Sequence, residues 1–238
     1  MISVCMATYN GEKYISEQID SILSQLSMDD ELIISDDGSK DNTIDIIRKY
    51  KDKRIKIFFN KGCHGYTPNF ENALNHAKGD YIFLSDQDDV WIEGKVKRVM
   101  QEFNKGYDFV YTNCITINEK KEIISESRIK DYNIKKGAIR TIIKMRYLGC
   151  CYCFTKKVLN TCLPFPKKYK LLEHDTWIAT VANFKFKVSI IDDVLLIYRR
   201  HGNNTSGGGI TKSNNSIFNM VYRRIYRFLK VIFRKKNR

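Results

Sequence analysis

Short apolar runs alternate with amphipathic segments over the first hundred residues. The apolar runs have the length of strands and occupy residues 2–7, 31–35, 55–59 and 81–85. Between them, apolar residues recur at spacings of three and four, the period of a helix with one buried face. These helical segments occupy residues 15–26, 42–50, 67–77 and 92–103. The alternation predicts an α/β fold, Rossmann-like, with a mostly parallel central sheet flanked by helices.

The pattern is less regular after Asn113. Apolar runs and turn residues predict, in order, a hairpin, a helix, a strand, a helix and two strands. These occupy residues 115–124, 139–145, 149–155, 175–182, 188–192 and 194–198. We expect this half to shape the pocket of a second substrate.

Polar residues follow each of the four strands predicted in the first half. Thr-Tyr-Asn at 8–10 follows the first strand, Asp-Asp-Gly-Ser at 36–39 the second, Asn60 the third and Asp-Gln-Asp-Asp at 86–89 the fourth. The carboxyl ends of parallel strands meet at one edge of a sheet, and ligands bind beyond that edge. The four clusters therefore predict a binding site there.

Asp86 and Asp88 flank a single residue, so both carboxylates can converge on one cation from a tight turn. Mg²⁺ and Mn²⁺ take one or two carboxylates and complete their shell with phosphate oxygens and water. Such a cation neutralises the charge that develops on a diphosphate leaving group. The alternative is a turn in which the aspartates accept backbone hydrogen bonds. The position at a strand end favours the metal site.

The first two clusters suit a nucleoside. Tyr9 offers a ring face to a base, and Thr8 and Asn10 place polar groups beside it; the alternative for Tyr9 is a core aromatic. We interpret Asp36 as facing the ligand, where it accepts from a base imide or a ribose hydroxyl. Asp37 is interpreted as partly structural, in a turn that caps the next helix.

Two residues of the second half have chemistry that such a site needs. Asp175 suits a general base, a group that contributes roughly 10²–10⁴-fold to a rate, and equally suits the cap of the following helix. His201 precedes a glycine-rich stretch and suits a metal ligand or part of a loop that closes over a diphosphate. Its alternative is a solvated loop histidine.

The formal net charge is +14, and it is concentrated at the end of the chain. Eleven Lys or Arg residues and no acidic residue follow Asp193. Apolar residues recur at helical spacing over residues 218–233, which predicts a basic amphipathic helix that docks on an anionic membrane surface. Packing on the protein's own core with a solvated basic face, and nucleic-acid binding, are the alternatives. The near-neutral remainder and the acidic strand ends disfavour nucleic acid.

The amino-terminal residues lack a signal-peptide pattern, and no apolar run reaches the roughly 18 residues of a membrane span. The chain has seven cysteines, and we expect free buried thiols in a reducing cytoplasm. Cys150 and Cys153 have no second pair at zinc-site spacing, so a zinc site is disfavoured.

Three of these motifs together resemble family 2 glycosyltransferases with the GT-A fold. They are residues 8–12 (TYNGE), 36–39 (DDGS) and 85–91 (SDQDDVW). His-Asp close to Trp177, and YRRHGNN at 198–204, are similar to the bacterial rhamnosyltransferase-like branch, which builds O-antigens and capsules. The branch has His-Asp-Trp contiguous, whereas Thr176 intervenes here.

The resemblance implies an inverting, metal-dependent transfer of a sugar from a nucleotide-sugar to a hydroxyl of a lipid-linked glycan. The donor would be dTDP-rhamnose or a UDP-hexose, and Asp175 would be the catalytic base. The metal, Mg²⁺ or Mn²⁺, would be held by Asp88 with Asp86 and His201. The residues that would bind the donor nucleotide are Thr8, Tyr9, Asn10, Glu12, Asp36, Asn69, Asp86 and Gln87.

Residues 1–215 are predicted to form the catalytic domain, with a nucleotide-sugar half (1–113) and an acceptor half (114–215). Residues 216–238 form the basic tail, which would hold the enzyme at the inner face of the cytoplasmic membrane. A nucleotidyltransferase that makes sugar-nucleotides is a rival. It is disfavoured because residues 8–13 contain one glycine instead of a glycine-rich triphosphate loop.

Overall fold

The computed structural model describes residues 1–202 and 217–236, and these contain one nine-stranded sheet with helices packed against it. The strands are β1 (Ile2–Thr8), β2 (Glu31–Asp36), β3 (Ile55–Phe59), β4 (Tyr81–Asp86), β5 (Val90–Trp91), β6 (Phe109–Ile117), β7 (Ile123–Ser125), β8 (Tyr152–Thr155) and β9 (Val188–Arg199). The helices are α1 (Ile15–Leu23), α2 (Thr43–Lys49), α3 (Tyr66–Asn75), α4 (Lys95–Asn104), α5 (Arg128–Tyr132), α6 (Ala138–Ile143), α7 (Lys156–Cys162), α8 (His174–Lys185) and α9 (Ile217–Ile232). The predicted boundary at residues 215 and 216 lies outside the described residues.

The first half of the chain forms the parallel part of the sheet. Strands β3, β2, β1 and β4 lie side by side in that order and run in one direction. β1 and β2 are buried along nearly their whole length, as strands covered on both faces are. Thr8 pairs with Asp36 and Ala7 with Asp86, so the strand ends share one edge. The predicted α/β class is confirmed.

The second half extends the sheet by antiparallel and parallel pairing. β8 joins β4 to β6, and β6 pairs in parallel with β9. The hairpin predicted over residues 115–124 is confirmed as β6 and β7. The strand segments predicted at 188–192 and 194–198 are both strand, but they are joined without a break in one strand, β9. Its pairing with β6 shifts register at Asn113, whose Nδ2 donates to the carbonyl of Asp192 at 3.0 Å and so absorbs the irregularity.

Helix α9 has the predicted amphipathic period, but one of its basic residues, Arg227, faces the protein while much of its apolar stripe is exposed. Arg227 and Val231 are buried, whereas Ile225 is 53% exposed and Leu229 is 47% exposed. The helix does pack on the protein's own core through Val231, as one alternative predicted, but the basic face of that alternative is not wholly in solvent, because Arg227 is buried. The exposed apolar residues of α9 and its end are Phe218, Val221, Tyr222, Ile225, Phe228, Leu229, Ile232 and Phe233.

The inward arginines of this segment bind backbone carbonyls that end or follow other helices. Arg227 Nη2 donates to the carbonyl of Ile142 in α6 at 2.6 Å, and Arg234 Nε donates to the carbonyl of Thr161 in α7 at 2.5 Å. Helix ends leave carbonyls without partners inside the helix, so guanidinium groups suit them. None of the helices in the described ranges is long and apolar enough to cross a bilayer.

Candidate active site

A cavity of about 790 Å³ opens at the carboxyl edge of the parallel strands. Both halves of the chain line it, because α8 and the end of β9 lie opposite the turns after β1 and β4. Nine of the predicted site residues line this cavity: Thr8, Tyr9, Asn10, Asn69, Asp86, Gln87, Asp88, Asp175 and His201. Two others, Glu12 and Asp36, lie behind it and bond to the surrounding loops.

Tyr9 stands at the rim with its backbone fixed by the Gln87 amide. Gln87 Oε1 accepts from Tyr9 N at 2.9 Å, and Gln87 Nε2 donates to Tyr9 O at 3.0 Å. The Tyr9 ring is 54% exposed, so its interpretation as a core aromatic is wrong. Gly11 makes this contact possible, since a Cβ there would lie 2.3 Å from Gln87 Oε1. The exposed ring is free to stack on a base.

The two neighbouring aspartates at the end of β2 both accept hydrogen bonds from the loops around them. Asp36 is buried, and its Oδ2 accepts from the backbone N–H groups of Gly38 and Ser39, both at 2.9 Å. Asp37 lines the cavity, and its Oδ2 accepts from Gly65 N at 2.7 Å. In this structure Asp36 therefore shapes its own turn, and Asp37 lines the cavity while it also anchors the loop at Asn60 and Gly65. A ligand role for Asp36 stays a prediction.

Glu12 and Asn69 connect the structural elements around the predicted nucleoside site. Glu12 Oε2 accepts from Asn42 N at 3.0 Å, just before α2. Asn69 is buried in α3, where its Nδ2 donates to Thr8 O at 3.1 Å and its Oδ1 accepts from Ser35 Oγ at 2.6 Å. Their direct contact with a nucleotide also stays a prediction.

Three carboxylates are crowded into the turn after β4. Loss of water around Asp86, followed by the charge of Asp88, raises the pKa of Asp86 to about 7. Asp89 is fully buried; its Oδ1 accepts from Arg199 N at 3.0 Å, and its Oδ2 has no hydrogen-bond partner in the described chain. Crowded carboxylates with an unpartnered oxygen fit a bound cation, which would relieve their repulsion.

The described residues offer two sets of candidate metal ligands in this turn. Asp88 Oδ2 lies 2.8 Å from His201 Nε2, so the predicted ligands Asp88 and His201 are together. Ligand atoms of Asp86, Asp89 and Cys150 lie within 4.8 Å of one another. Carboxylate oxygens suit Mg²⁺ or Mn²⁺, and both ions accept one or two carboxylates with substrate phosphate.

Asp175 enters the cavity from the first turn of α8. The N-cap position of this helix is Glu173, whose side chain makes no capping hydrogen bond, and Asp175 Oδ1 accepts from Thr176 N at 2.5 Å. Burial raises the pKa of the Asp175 carboxyl above its ordinary range. A carboxylate that is partly desolvated is a stronger proton acceptor, as a general base requires.

Sequence reasoning missed His174 and Arg199, which lie next to the candidate aspartates Asp175 and Asp88. His174 stacks on Phe70 with ring centroids 4.2 Å apart, and burial lowers its pKa to about 4, so it stays neutral. Arg199 Nε donates to the carbonyl of Asp88 at 3.0 Å. Both lie next to residues that the sequence did predict for the site, since His174 precedes Asp175 and Arg199 is two residues before His201. This nearness in the sequence was the signal that could have pointed to them.

A parallel sheet with a carboxylate turn at its edge and a further carboxylate from an added half is similar to the GT-A glycosyltransferase fold. The structure of S. aureus TarS in complex with UDP-GlcNAc has a TM-score of 0.71 and 19% identity, over 96% of this chain and 66% of that one. The mannosyltransferase PcManGT of Pyrobaculum calidifontis, in complex with GDP-Man and Mn²⁺, has a TM-score of 0.67 and 19% identity, over 100% of this chain and 65% of that one. These likenesses concern the fold.

Residues 3–163 match the model of glycosyl transferase family 2, and the chain belongs to that family. It is 30% identical to the GalNAc(5)-diNAcBac-PP-undecaprenol beta-1,3-glucosyltransferase of Campylobacter jejuni, over 83% of this chain and 64% of the relative. It is 30% identical to the glucosyltransferase WfgD of Escherichia coli, which is named for UDP-Glc and alpha-D-GlcNAc-diphosphoundecaprenol, over 71% of this chain and 66% of the relative. It is 28% identical to the dTDP-rhamnosyl transferase RfbG of Shigella flexneri, over 93% of this chain and 81% of the relative. The chain thus spans about two thirds of the first two relatives.

Proposed function

We propose that the protein is an inverting glycosyltransferase that moves one sugar from a nucleotide-sugar to a hydroxyl of a lipid-linked glycan during bacterial surface-polysaccharide assembly. The observation that carries this proposal is the shared cavity. The turn with Asp86 and Asp88 lines the same cavity as Asp175 from α8. A leaving diphosphate and an acceptor hydroxyl need such groups on opposite sides of one sugar.

In this mechanism the acceptor oxygen attacks the anomeric carbon of the donor sugar. Its proton passes to the Asp175 carboxylate, and the bond from the anomeric carbon to the nucleoside diphosphate breaks with its electron pair on the leaving oxygen. One displacement inverts the anomeric configuration. A divalent cation, Mg²⁺ or Mn²⁺, held by Asp88 with Asp86 and His201, would supply charge neutralisation for the leaving diphosphate.

The donor is proposed to be a pyrimidine-nucleotide sugar, either a UDP-hexose or dTDP-rhamnose. The glucosyltransferases at 30% identity favour the first, and the rhamnosyl transferase at 28% favours the second. Tyr9 would stack on the base. Thr8, Asn10 and Gln87 would hold the backbone around Tyr9 in place. A thermal-shift screen tests this, because a bound donor raises the melting temperature by mass action. Failure of every UDP- and dTDP-sugar to stabilise the protein with Mn²⁺ would sink the donor proposal.

A membrane-facing surface is proposed on α6 and α9. The α6 residues Ile139 and Ile143 are exposed, and α9 presents its own apolar stripe beside them, joined to α6 through Arg227. Exposed Arg140 and Lys144 flank the α6 residues. Apolar side chains fringed by basic ones suit the headgroup region of an anionic bilayer, where each Lys or Arg contributes about 1 kcal/mol. Docking at the inner face of the cytoplasmic membrane would bring the cavity to a lipid-linked acceptor.

A further inference from the structure

Two side chains from the end of β9 contact Asp88, and both of them lie against one aromatic ring. His201 Nε2 is 2.8 Å from Asp88 Oδ2, and Arg199 Nε donates to the Asp88 carbonyl at 3.0 Å. The ring is that of Tyr14, the residue before α1. Its centroid is 5.0 Å from that of the His201 ring and 4.6 Å from the guanidinium carbon of Arg199. Tyr14 is therefore linked to Asp88 through two separate side chains.

The Tyr14 ring is held in place by an ion pair. Glu17, in the first turn of α1, accepts from Arg199 Nη2 at 2.7 Å through its Oε2 atom. The Arg199 side chain is almost completely buried, with 4% of its surface exposed, and its guanidinium lies over the Tyr14 ring. A desolvated guanidinium binds the face of an aromatic ring more strongly than an exposed one does. Glu17 and Arg199 thus fix the ring on which the imidazole of His201 stacks.

The backbone around His201 is held by β6 and by the turn after it. Arg200 N donates to the carbonyl of Ile117 at 2.8 Å. Gly202 N donates to Glu119 Oε1 at 3.0 Å. The side-chain torsions of the imidazole then remain to be set, and these have several staggered minima. A neighbouring side chain has to select the torsions that bring the ring to the turn after β4.

We propose that Tyr14 is a positioning residue that orients the His201 imidazole so that this group and Asp88 can hold one divalent cation. The inference rests on the proposed function and adds a residue to the donor side of the cavity. Tyr14 acts on the ion only through His201. The aromatic ring carries the effect and the hydroxyl does not, because the guanidinium and the imidazole both lie against the ring.

Calorimetric titration with Mn²⁺ tests the proposal, because it follows the ion without any sugar transfer. Tyr14→Leu should weaken Mn²⁺ binding about tenfold or more, as loss of a group that orients a metal ligand does. Tyr14→Phe keeps the ring and should bind Mn²⁺ nearly as tightly as the wild type.

Tyr50→Leu is the matched control for lost packing on α1. Tyr50 is half-buried like Tyr14, and its hydroxyl donates to the carbonyl of Ser16 in α1 at 3.0 Å. This variant should melt at a lower temperature than the wild type but bind Mn²⁺ with the wild-type affinity. Equal weakening of Mn²⁺ binding in Tyr50→Leu and Tyr14→Leu overturns the proposal, since loosening of α1 would then be the cause.

A double variant shows whether the effect passes through His201. His201→Ala removes the imidazole, so the addition of Tyr14→Leu to it should weaken Mn²⁺ binding no further. Such non-additivity is expected of two residues that act through one contact. Additive losses overturn the proposal, and so does wild-type affinity in Tyr14→Leu or weakened binding in Tyr14→Phe.

The titrations separate this proposal from the proposed function. A wild type that binds no Mn²⁺ overturns the role of Tyr14, because Asp88 and His201 then hold no ion. A wild type that binds Mn²⁺ but transfers no sugar would contradict the proposed function instead. The titrations of Tyr14→Leu, Tyr14→Phe and the double variant still decide the role of Tyr14 in that case.

Discussion

The imidazole Nε2 of His201 lies 2.8 Å from Oδ2 of Asp88, so the end of β9 meets the turn after β4. The His201 ring also stacks on Tyr14, with ring centroids 5.0 Å apart, and this fixes its orientation. A residue beyond the family-matched segment 3–163 thereby reaches the carboxylate that we propose as the metal ligand. The pair gives the donor side of the cavity a defined geometry before any substrate binds.

We expect Asp88→Asn to lower turnover on the order of 10²–10³-fold, because it removes charge that faces the leaving group. Calorimetric titration with Mn²⁺ should show weaker binding of the ion to the same variant. Asp45→Asn, a charge-matched change at an exposed position of α2, is the control. Near-normal turnover of Asp88→Asn across Mg²⁺ and Mn²⁺ concentrations would remove Asp88 from the metal site.

Asp175→Asn should lower turnover by roughly 10²–10⁴-fold while the dissociation constant of the donor stays close to that of the wild type. The variant should also melt at a higher temperature near neutral pH. Burial raises the pKa of the native Asp175 carboxyl, so the folded state binds the proton more tightly than the unfolded state. Stability from this group is lost as pH rises through the raised pKa, and asparagine removes that loss.

The same pKa shift predicts the pH dependence of the reaction. The base must be deprotonated, so kcat/KM for the acceptor should fall as pH drops below the raised pKa of Asp175, at a higher pH than an ordinary aspartate would give. A pH–rate profile at saturating donor measures this limb. An Asp175→Asn variant that is fully active but less stable would show that the residue only supports α8.

Gly11→Ala should weaken donor binding about tenfold or more, since a Cβ 2.3 Å from Gln87 Oε1 separates Gln87 from Tyr9. Isothermal titration with the donor measures the effect. Gly62→Ala is the matched control, because its Cβ would meet nothing closer than 3.6 Å. Equal donor affinity in both variants would mean that the Tyr9 segment does not hold the nucleoside.

Ile225→Ser with Leu229→Ser should reduce binding to anionic vesicles about tenfold or more, because each buried aliphatic side chain contributes about 1.5–3 kcal/mol. Ile123→Ser with Ile124→Ser removes two similarly exposed aliphatic residues from β7 and serves as the control. Sedimentation with vesicles at low salt measures the bound fraction. If the wild type itself stays in the supernatant, the membrane surface on α6 and α9 is refuted. Deleting residues 216–238 is a less clean test, since it also removes the contacts of Arg227 and Arg234 with α6 and α7.

Local pattern was sufficient to predict the parallel half of the fold and the edge where the site lies. Strand periodicity places Thr8, Asp36 and Asp86 at strand ends, and parallel pairing makes those ends neighbours. The inward face of α9 was not predictable in this way. An amphipathic period distinguishes two faces but does not say which one is buried, and here carbonyls at other helix ends select the arginines. The hydrogen-bond partners of Asp36 and Asp37 could not be predicted from the sequence either. They depend on the turn at Gly38 and on the position of Gly65 in the fold.

The central claim is tested most directly by incubating the protein with Mn²⁺, a UDP-hexose or dTDP-rhamnose, and a lipid-diphosphate-linked monosaccharide, and by determining the anomeric configuration of the product by NMR. We predict transfer of one sugar with inversion by the wild type, and a loss of roughly 10²–10⁴-fold in Asp175→Asn. A product that retains the donor's anomeric configuration, or undiminished transfer by Asp175→Asn, would contradict the account.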